Sequence, residues 1–226
     1  FTSEIANPNQ SIEEKTATIQ ENEVKNLYGD DGKFKRNITL LDKKNIHNNS
    51  LQVINQYVTE DGQRSNRYDV TVLVNGLPLI HIELKRRGVA IQEAFNQINR
   101  YQRESFWASS GLFEYVQLFV ISNGTHTKYY SNTTRSQHVK ESQEGSKNKG
   151  KKTSNSFEFT SWWADATNRP ITDLMDFAKT FFAKHAILNI LTKYCVFTTD
   201  RLLLVMRPYQ IVATERILNQ IGRAHV

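Results

Sequence analysis

The stretch that decides the fold is Tyr68-Asp69-Val70-Thr71-Val72-Leu73-Val74-Asn75-Gly76-Leu77-Pro78-Leu79-Ile80-His81-Ile82-Glu83-Leu84-Lys85. Two apolar runs are joined by Asn75-Gly76, a pattern that predicts two β-strands connected by a tight turn. Asp69 opens the first strand, and Glu83 and Lys85 end the second. Charged residues are rare in strands this apolar unless they are paired or bind a metal. The hairpin is therefore the first candidate for a functional site.

The length of the turn sets a geometric condition on that site. With a regular two-residue turn at Asn75-Gly76, Asp69 faces Ile82, and Glu83 points to the opposite face of the sheet. One extra residue, either in the turn at Asn75-Gly76-Leu77 or as a bulge within a strand, places Asp69 opposite Glu83. The sequence predicts such an irregularity, and a regular hairpin with the acids on opposite faces would exclude the site.

The charged residues of the hairpin suit phosphodiester hydrolysis. Mg²⁺ prefers carboxylate and carbonyl oxygens, which Asp69, Glu83 and the Leu84 carbonyl can supply. Lys85 shares the strand face of Glu83, where it can orient water or offset charge on a phosphate. The spacing Glu-x-Lys alone is weak evidence, because Glu23-Val24-Lys25 repeats it in a polar stretch that we interpret as a solvated helix face. From the hairpin alone, a salt-bridged sheet edge fits as well as a catalytic site.

A helix after the hairpin favours the catalytic interpretation. Apolar residues recur at helical spacing over residues 91–105 and predict a helix that packs back over the second strand. Gln97 and Tyr101 lie one turn apart on one face of it, although an ordinary amphipathic helix with a half-buried Tyr101 is the alternative. His81 could line the site, but we interpret it as a packed strand histidine. Arginines suited to phosphate contacts lie nearby: Arg86, Arg87, Arg100 and Arg103.

Composition and element order indicate a basic α/β protein. The 226 residues include 38% hydrophobic residues and carry a formal charge of +6, which favours an acidic partner such as nucleic acid. Cys195 is the only cysteine, so a disulfide framework is impossible and the cytoplasm is expected. No apolar run is long enough to cross a bilayer, so no membrane partner is expected. Strands on both sides of the 91–105 helix, followed by further helices, predict a mixed central sheet flanked by helices.

The combined motifs resemble a known nuclease family. Asp69, Glu83-Leu84-Lys85 and Gln97-Ile98-Asn99-Arg100-Tyr101 are similar to the PD-(D/E)xK motif with the QxxxY motif of its RecB-like branch. The wider context resembles the N-terminal region of the R (HsdR) subunit of type I restriction-modification enzymes. This resemblance covers most of the chain from about Ile38 onward, and it is carried by residues 66–71, 74–79, 83–91, 93–98, 118–125 and 203–210.

The resemblance implies a restriction-endonuclease-like PD-(D/E)xK core and a Mg²⁺-dependent endonuclease. Asp69, Glu83 and Lys85 would be catalytic, with Asp69, Glu83 and the Leu84 carbonyl as metal ligands. Gln97 and Tyr101 would position the DNA and the active-site strand, and the DNA-binding residues would include Arg86, Arg87 and Arg100. The alternative is a non-catalytic DNA-binding or subunit-docking module that retains a nuclease fold.

The resemblance also implies partners beyond this chain. These are double-stranded DNA, methyltransferase (M) and specificity (S) subunits, and a downstream ATP-driven motor that translocates DNA. Because no GxxxxGK[ST] loop occurs here, ATP would be a cofactor of the full-length subunit only. We expect a fragment of a longer protein, with a truncated polar and helical segment at 1–36, an endonuclease domain at 37–165 with a flexible basic insertion at 134–156, and a helical linker and start of the motor at 166–226.

Three features depart from the family pattern. Tyr68 stands where a proline usually precedes the first acid. The helix that normally precedes the first strand, often bearing another acid, is cut away or only partly represented by residues 11–27. Glu13 and Glu14 are poor substitutes for that acid, so a third carboxylate is not assigned. The insertion, centred on residues 140–156, is longer than the family's usual connection.

Overall fold

A five-stranded mixed sheet forms the centre of the computed structural model, which describes residues 5, 7, 9–59, 66–104, 106, 111–132 and 157–224. The insertion predicted at 134–156 lies outside these residues. The elements are α1 (Ile12–Glu21), β1 (Val24–Tyr28), β2 (Phe34–Thr39), β3 (Leu51–Thr59), β4 (Asn66–Val74), β5 (Leu77–Leu84), α2 (Ile91–Glu104), β6 (Leu118–Ser122), β7 (Thr127–Ser131), β8 (Trp163–Ala164), β9 (Pro170–Ile171), α3 (Leu174–Phe181), α4 (Lys184–Asn189), β10 (Cys195–Phe197), β11 (Leu203–Val205) and α5 (Pro208–Ala224). The sheet order is β3-β4-β5-β6-β7, in which only β5 and β6 are parallel. The predicted α/β fold is therefore confirmed.

The central strands are apolar because they are covered on both faces. One face contributes to a large hydrophobic cluster that includes Ile80, Val120 and residues of α3 and α4. The other face packs against α2 in a second cluster that includes Phe119 and Ile121. All five residues of β6 are buried, as expected for a strand between two layers of helix. This arrangement fixes α2 over the strands that carry the charged residues.

The β4–β5 hairpin contains the irregularity that the sequence predicts. Asn75 and Gly76 form a two-residue turn with φ values of 51° and 86°, the positive values that a tight hairpin turn requires. Within β5, Leu79 has no partner in β4, and the register of the pairing shifts by one residue at this point. Beyond this bulge the register brings Asp69 level with Glu83. The prediction is confirmed in its second form, with the extra residue in the strand and not in the turn.

Helix α1 packs at the far end of the sheet from the charged residues. Its first turn is closed by a capping box, in which Ser11 N–H donates to Glu14 Oε2 at 2.7 Å and Glu14 N–H donates to Ser11 Oγ at 3.2 Å. The side chain of Thr16 accepts from Asn132, beside the start of β6, whereas Glu83 is level with Ile121 near the end of β6. Glu14 therefore caps its own helix away from Glu83, and the third metal ligand stays unassigned.

The Lys15–Glu114 ion pair fastens α1 to the body of the protein. Lys15 is fully buried and its ammonium group contacts the carboxylate of Glu114. Removing one partner of a buried pair leaves an uncompensated charge, so Lys15→Met is expected to lower the free energy of unfolding by about 3–5 kcal/mol. The double variant Lys15→Met/Glu114→Leu should recover most of that loss. Denaturant unfolding measures both, and equal stability of the single and double variants would contradict the explanation.

The structure corrects the predicted secondary structure of one N-terminal stretch. The stretch Glu23-Val24-Lys25 was expected on a solvated helix face, and this is wrong. Helix α1 ends at Glu21, Glu23 adopts a left-handed φ of 43°, and Val24 and Lys25 belong to β1. Pairing of β1 with β2 makes an exposed hairpin whose backbone hydrogen bonds replace those of the helix. Glu23 therefore has no structural similarity to Glu83 beyond the tripeptide spacing.

The C-terminal part contains the further helices that the sequence predicts, together with a short strand pair. Asp173 caps α3 by accepting from the N–H groups of Met175 and Asp176, and β10 pairs with β11. Among the described residues, no helix combines the length and apolar character needed to cross a membrane. The domain boundaries at residues 36 and 165 stay predictions.

Candidate active site

Strands β4 and β5 separate at Asp69, and its side chain fills the gap. The backbone pairing of the two strands stops at Val70 and Ile82. At the next position the Asp69 Oδ2 atom accepts a hydrogen bond from Leu84 N–H at 2.8 Å. The carboxylate therefore takes the place of a backbone partner. This bond holds Asp69 beside the end of β5, where Glu83 and Lys85 lie.

Glu83 is buried and only half satisfied. Its Oε1 atom accepts from Lys85 Nζ at 2.9 Å, whereas Oε2 has no hydrogen-bond partner. His81 Nε2 lies 3.7 Å from Oε2, too far for a hydrogen bond. This nitrogen also has no hydrogen-bond partner. A buried acceptor without a donor costs about 1–3 kcal/mol, so such a group in a native structure calls for an explanation such as a bound water, an ion or a catalytic role. The Glu83 Oε2 atom is therefore an acceptor available to a cation.

Helix α2 holds Lys85 through a short chain of hydrogen bonds. The Lys85 ammonium group donates to Gln97 Oε1 as well as to Glu83. Gln97 Nε2 donates to Tyr101 Oη, which in turn donates to the carbonyl of Arg67 on β4 at 3.1 Å. Gln97 and Tyr101 therefore lie over the strand that leads to Lys85, as the sequence predicts. The chain ties α2, β4 and β5 together around one ammonium group.

Removing the hydroxyl of Tyr101 tests that chain of hydrogen bonds. Tyr101→Phe keeps the ring in its buried aromatic packing but loses the donor to Arg67 and the acceptor for Gln97. Gln97 and then Lys85 are less firmly held, so the DNA cleavage that the resemblance implies is expected to fall about 10-fold with little change in the melting temperature. Cleavage rates and thermal melts of both proteins measure this, and unchanged cleavage would contradict a positioning role for the hydroxyl.

A cavity of about 420 Å³ opens beside these residues. Asp69, Leu84 and Lys85 line it, and the buried Glu83 pairs with the Lys85 that forms part of its wall. The oxygen donors present are two carboxylates and the Leu84 carbonyl, the ligand chemistry of a hard divalent cation such as Mg²⁺. Among the described residues, no group of three or more His, Cys, Asp and Glu is arranged to hold a metal. The residues fit an ion that keeps several water ligands.

Burial dominates the electrostatics of Asp69. Loss of solvent around the carboxylate raises the pKa of Asp69 above its ordinary value of 3.8. The hydrogen bond from Leu84 opposes this increase, while the nearby Glu83 carboxylate adds to it. Burial also raises the pKa of the Tyr101 hydroxyl. A negative charge held against desolvation is poised to gain free energy when a cation binds.

The predicted arginines lie in three different settings. Arg86 lines the cavity. Arg87 is exposed and lies 3.7 Å from Asp173 at the start of α3. The guanidinium group of Arg100 lies 5.8 Å from the centre of the Tyr101 ring. The structure therefore brings Arg86 to the site, whereas the Arg87 contact connects the loop after β5 to α3. Their DNA-binding roles stay predictions.

Two cavity residues were missed from the sequence. Asn55 and Gln56 on the neighbouring strand β3 line the same cavity as Asp69 and Lys85. No motif marks them, and their polar character is common at an exposed strand. His81 was considered, and its full burial among aromatic rings agrees with a packed strand histidine. Its Nε2 atom lies 3.7 Å from Glu83 Oε2, a distance that the sequence could not predict.

Comparisons with known proteins match the chain to one family. The chain matches the family model described as the N terminus of type I restriction enzyme R proteins over residues 1–138. It is 53% identical over 211 residues to the type I restriction enzyme EcoprrI endonuclease subunit of Escherichia coli, a match that covers 93% of this chain and 62% of that protein. It is 40% identical over 184 residues to the SauCOLORF180P endonuclease subunit of Staphylococcus aureus (strain COL) and to the SsaAORF53P endonuclease subunit of Staphylococcus saprophyticus, with 81% of this chain and 17% of each relative covered.

These matches establish the family of the chain. The family model covers more than half of its residues, and the resemblance inferred from Asp69, Glu83-Leu84-Lys85 and Gln97 to Tyr101 is confirmed at the level of the family. The chain spans less than two thirds of the length of each of these relatives. The chain therefore belongs to the family of type I restriction enzyme R protein N-terminal regions.

Proposed function

We propose that this chain is a Mg²⁺-dependent endonuclease domain that cleaves duplex DNA. The observation that carries the proposal is the buried Glu83 carboxylate, which has one oxygen without a hydrogen-bond partner and pairs through the other with Lys85 in the cavity wall. A salt-bridged sheet edge would place these charges in solvent, where both oxygens are satisfied by water. The endonuclease names of the relatives support the same conclusion.

The proposed mechanism assigns a separate task to each residue. Asp69, Glu83 and the Leu84 carbonyl would hold the metal. A bound Mg²⁺ would supply charge neutralisation at the scissile phosphate and a more acidic water molecule. Lys85 donates from the cavity wall to the attacking water or to the phosphate oxygen that gains charge. Gln97 and Tyr101 keep Lys85 aimed at the cavity.

The activity of the whole protein is a wider part of the proposal. We infer that the intact protein also carries an ATP-driven motor, and that it translocates DNA before cleavage. Its partners would be the methyltransferase (M) and specificity (S) subunits, and its compartment the cytoplasm. Support comes from the names of the relatives, which are type I restriction enzyme subunits. ATP binding belongs to the part of the protein beyond this chain.

Metal titration separates the nuclease from the alternative. The intact protein is titrated with Mn²⁺ by calorimetry and assayed for Mg²⁺-dependent cleavage of plasmid DNA. We expect one Mn²⁺ site, which Glu83→Gln weakens by at least about 10- to 100-fold together with cleavage. Glu93→Gln is the matched control, because Glu93 is an exposed acid at the start of α2. DNA binding without Mn²⁺ binding or cleavage would instead establish a non-catalytic DNA-binding module.

A further inference from the structure

The edge strand β3 has an irregular residue at the level of Asp69. Its pairing with β4 is regular on either side, with Asn55 opposite Val70 and Tyr57 opposite Tyr68. Between them Gln56 adopts a left-handed φ of 50° and does not pair with Asp69. This conformation is costly for a residue other than glycine. Such strain persists where the surrounding structure requires it, and it clusters at functional sites.

Strand β4 is irregular at the same level. Tyr68 and Thr71 both contact His81, through a ring separation of 5.6 Å and an Oγ1–Nδ1 distance of 3.4 Å. Residues three apart in a regular strand point to opposite faces, so β4 must rotate by one position between them. Both strands are therefore irregular at the level of Asp69, and residues of both strands line the cavity.

The side chain of Gln56 is available to a ligand in that cavity. It lines the cavity with Asp69, Lys85 and Arg86, and it is exposed to solvent. In the part of the chain that the structure describes, no hydrogen bond to the amide of Gln56 is recorded. A carboxamide donates to phosphate oxygens without adding charge near the proposed metal ligands. Contacts to the phosphates of DNA position the duplex independently of its base sequence.

We propose that Gln56 contacts the DNA, and that its side-chain amide donates to the phosphodiester backbone beside the scissile bond. Gln56 lines the cavity from the edge strand, and its exposed side chain is within the reach of a phosphate bound there. A glycine would adopt the left-handed conformation more easily but would provide no amide. The inference rests on the proposed nuclease function and adds a substrate contact that lies outside the Asp69, Glu83 and Lys85 cluster.

Three substitutions of Gln56 in the intact protein test the contact. Gln56→Ala and Gln56→Gly are expected to raise KM for cleavage, and the Kd for a fluorescent DNA duplex in Ca²⁺, about 10-fold, with kcat nearly unchanged. Gln56→Gly should do so without lowering the melting temperature, because the left-handed strain is relieved. Gln56→Asn keeps an amide on a residue that tolerates the left-handed region, and should retain most of the affinity.

Asn168→Gly is the matched control. Asn168 also has a left-handed backbone, with a φ of 65°, and an exposed amide in the turn between β8 and β9. It should leave KM and Kd unchanged. Wild-type KM and Kd in both Gln56→Ala and Gln56→Gly would overturn the proposal, as would a loss of kcat at constant KM, which indicates a role in shaping the site. Absence of cleavage by the unsubstituted protein would overturn the nuclease function separately, because duplex affinity still reports on Gln56.

Discussion

Replacing Lys85 by alanine is expected to lower DNA cleavage by about 100- to 1,000-fold. The ammonium group donates to the buried Glu83, and Lys85 lines the cavity. His81 Nε2 lies 3.7 Å from the other oxygen of that carboxylate, but His81 does not line the cavity. The DNA-stimulated ATP hydrolysis proposed for the intact protein should continue at its normal rate, because Lys85 is assigned to the cleavage site alone. Cleavage of plasmid DNA and release of phosphate from ATP, measured on the same preparation, test both statements.

The chain provides an internal control for Lys85. Lys25 occupies the same position in the tripeptide Glu23-Val24-Lys25 but lies in the exposed β1–β2 hairpin. Lys25→Ala should leave cleavage unchanged. That result would show that the structural context of the lysine matters, and that the Glu-x-Lys spacing alone does not. If Lys85→Ala loses ATP hydrolysis together with cleavage, the lysine is needed for folding and its assigned role in the reaction is wrong.

Replacing Asp69 by asparagine should have opposite effects on activity and on stability. Cleavage and Mn²⁺ affinity should both fall by more than about 100-fold, since a direct ligand contributes more than its supporting residues. The metal-free protein, in contrast, should melt at a higher temperature at neutral pH. Burial and the Glu83 carboxylate disfavour the Asp69 charge, whereas the neutral amide can still accept from Leu84 N–H.

The pH dependence of that stability gain follows from the direction of the pKa shift. The pKa of Asp69 is higher in the folded protein than its ordinary value of 3.8, so the folded state binds the proton more tightly than the unfolded state. The wild-type protein therefore loses stability as the pH rises from 3.8 through the folded pKa. The advantage of Asp69→Asn should be absent at lower pH and largest above that pKa. Thermal melts of the metal-free proteins across this range measure it.

Asp165 provides a control of opposite sign. Hydrogen bonds, first that from Arg169 N–H, hold the pKa of Asp165 below 3.8. Its contribution to stability is present above 3.8 and is lost as the pH falls through the lowered value. Asp165→Asn should therefore lower the melting temperature at neutral pH. A decrease for both Asp69→Asn and Asp165→Asn would show that the Asp69 charge is satisfied without a metal.

The sequence could predict the parts of the site that depend on alternation and periodicity. The period of two in β5 places Glu83 and Lys85 on one face, and the helical period of α2 places Gln97 above Tyr101. Each period is a property of a single strand or helix, so the folded structure retains it. Even the need for a bulge could be derived, since the turn at Asn75-Gly76 and the positions of the acids are incompatible without one.

Other features depend on contacts that no local pattern encodes. The position of the bulge at Leu79 depends on how β5 meets both β4 and β6. The left-handed backbone of Gln56 depends on the separation of the strands at Asp69, and glutamine has no preference for that conformation. Glu23 was misassigned because helix and strand compete over a short polar stretch, and pairing with β2 decided the outcome.

The bulge at Leu79 takes up the one residue by which β5 exceeds β4 between the turn and the acids. Deleting Leu79 would leave Val72 paired with Ile80, so Asp69 would stay level with Glu83 in a hairpin without a bulge. The side chains of Ile80 and Ile82 would keep their places in the larger hydrophobic cluster. What the deletion would remove is the fully buried Leu79 side chain, so its cost would fall on the packing of the core and not on the alignment of the acids.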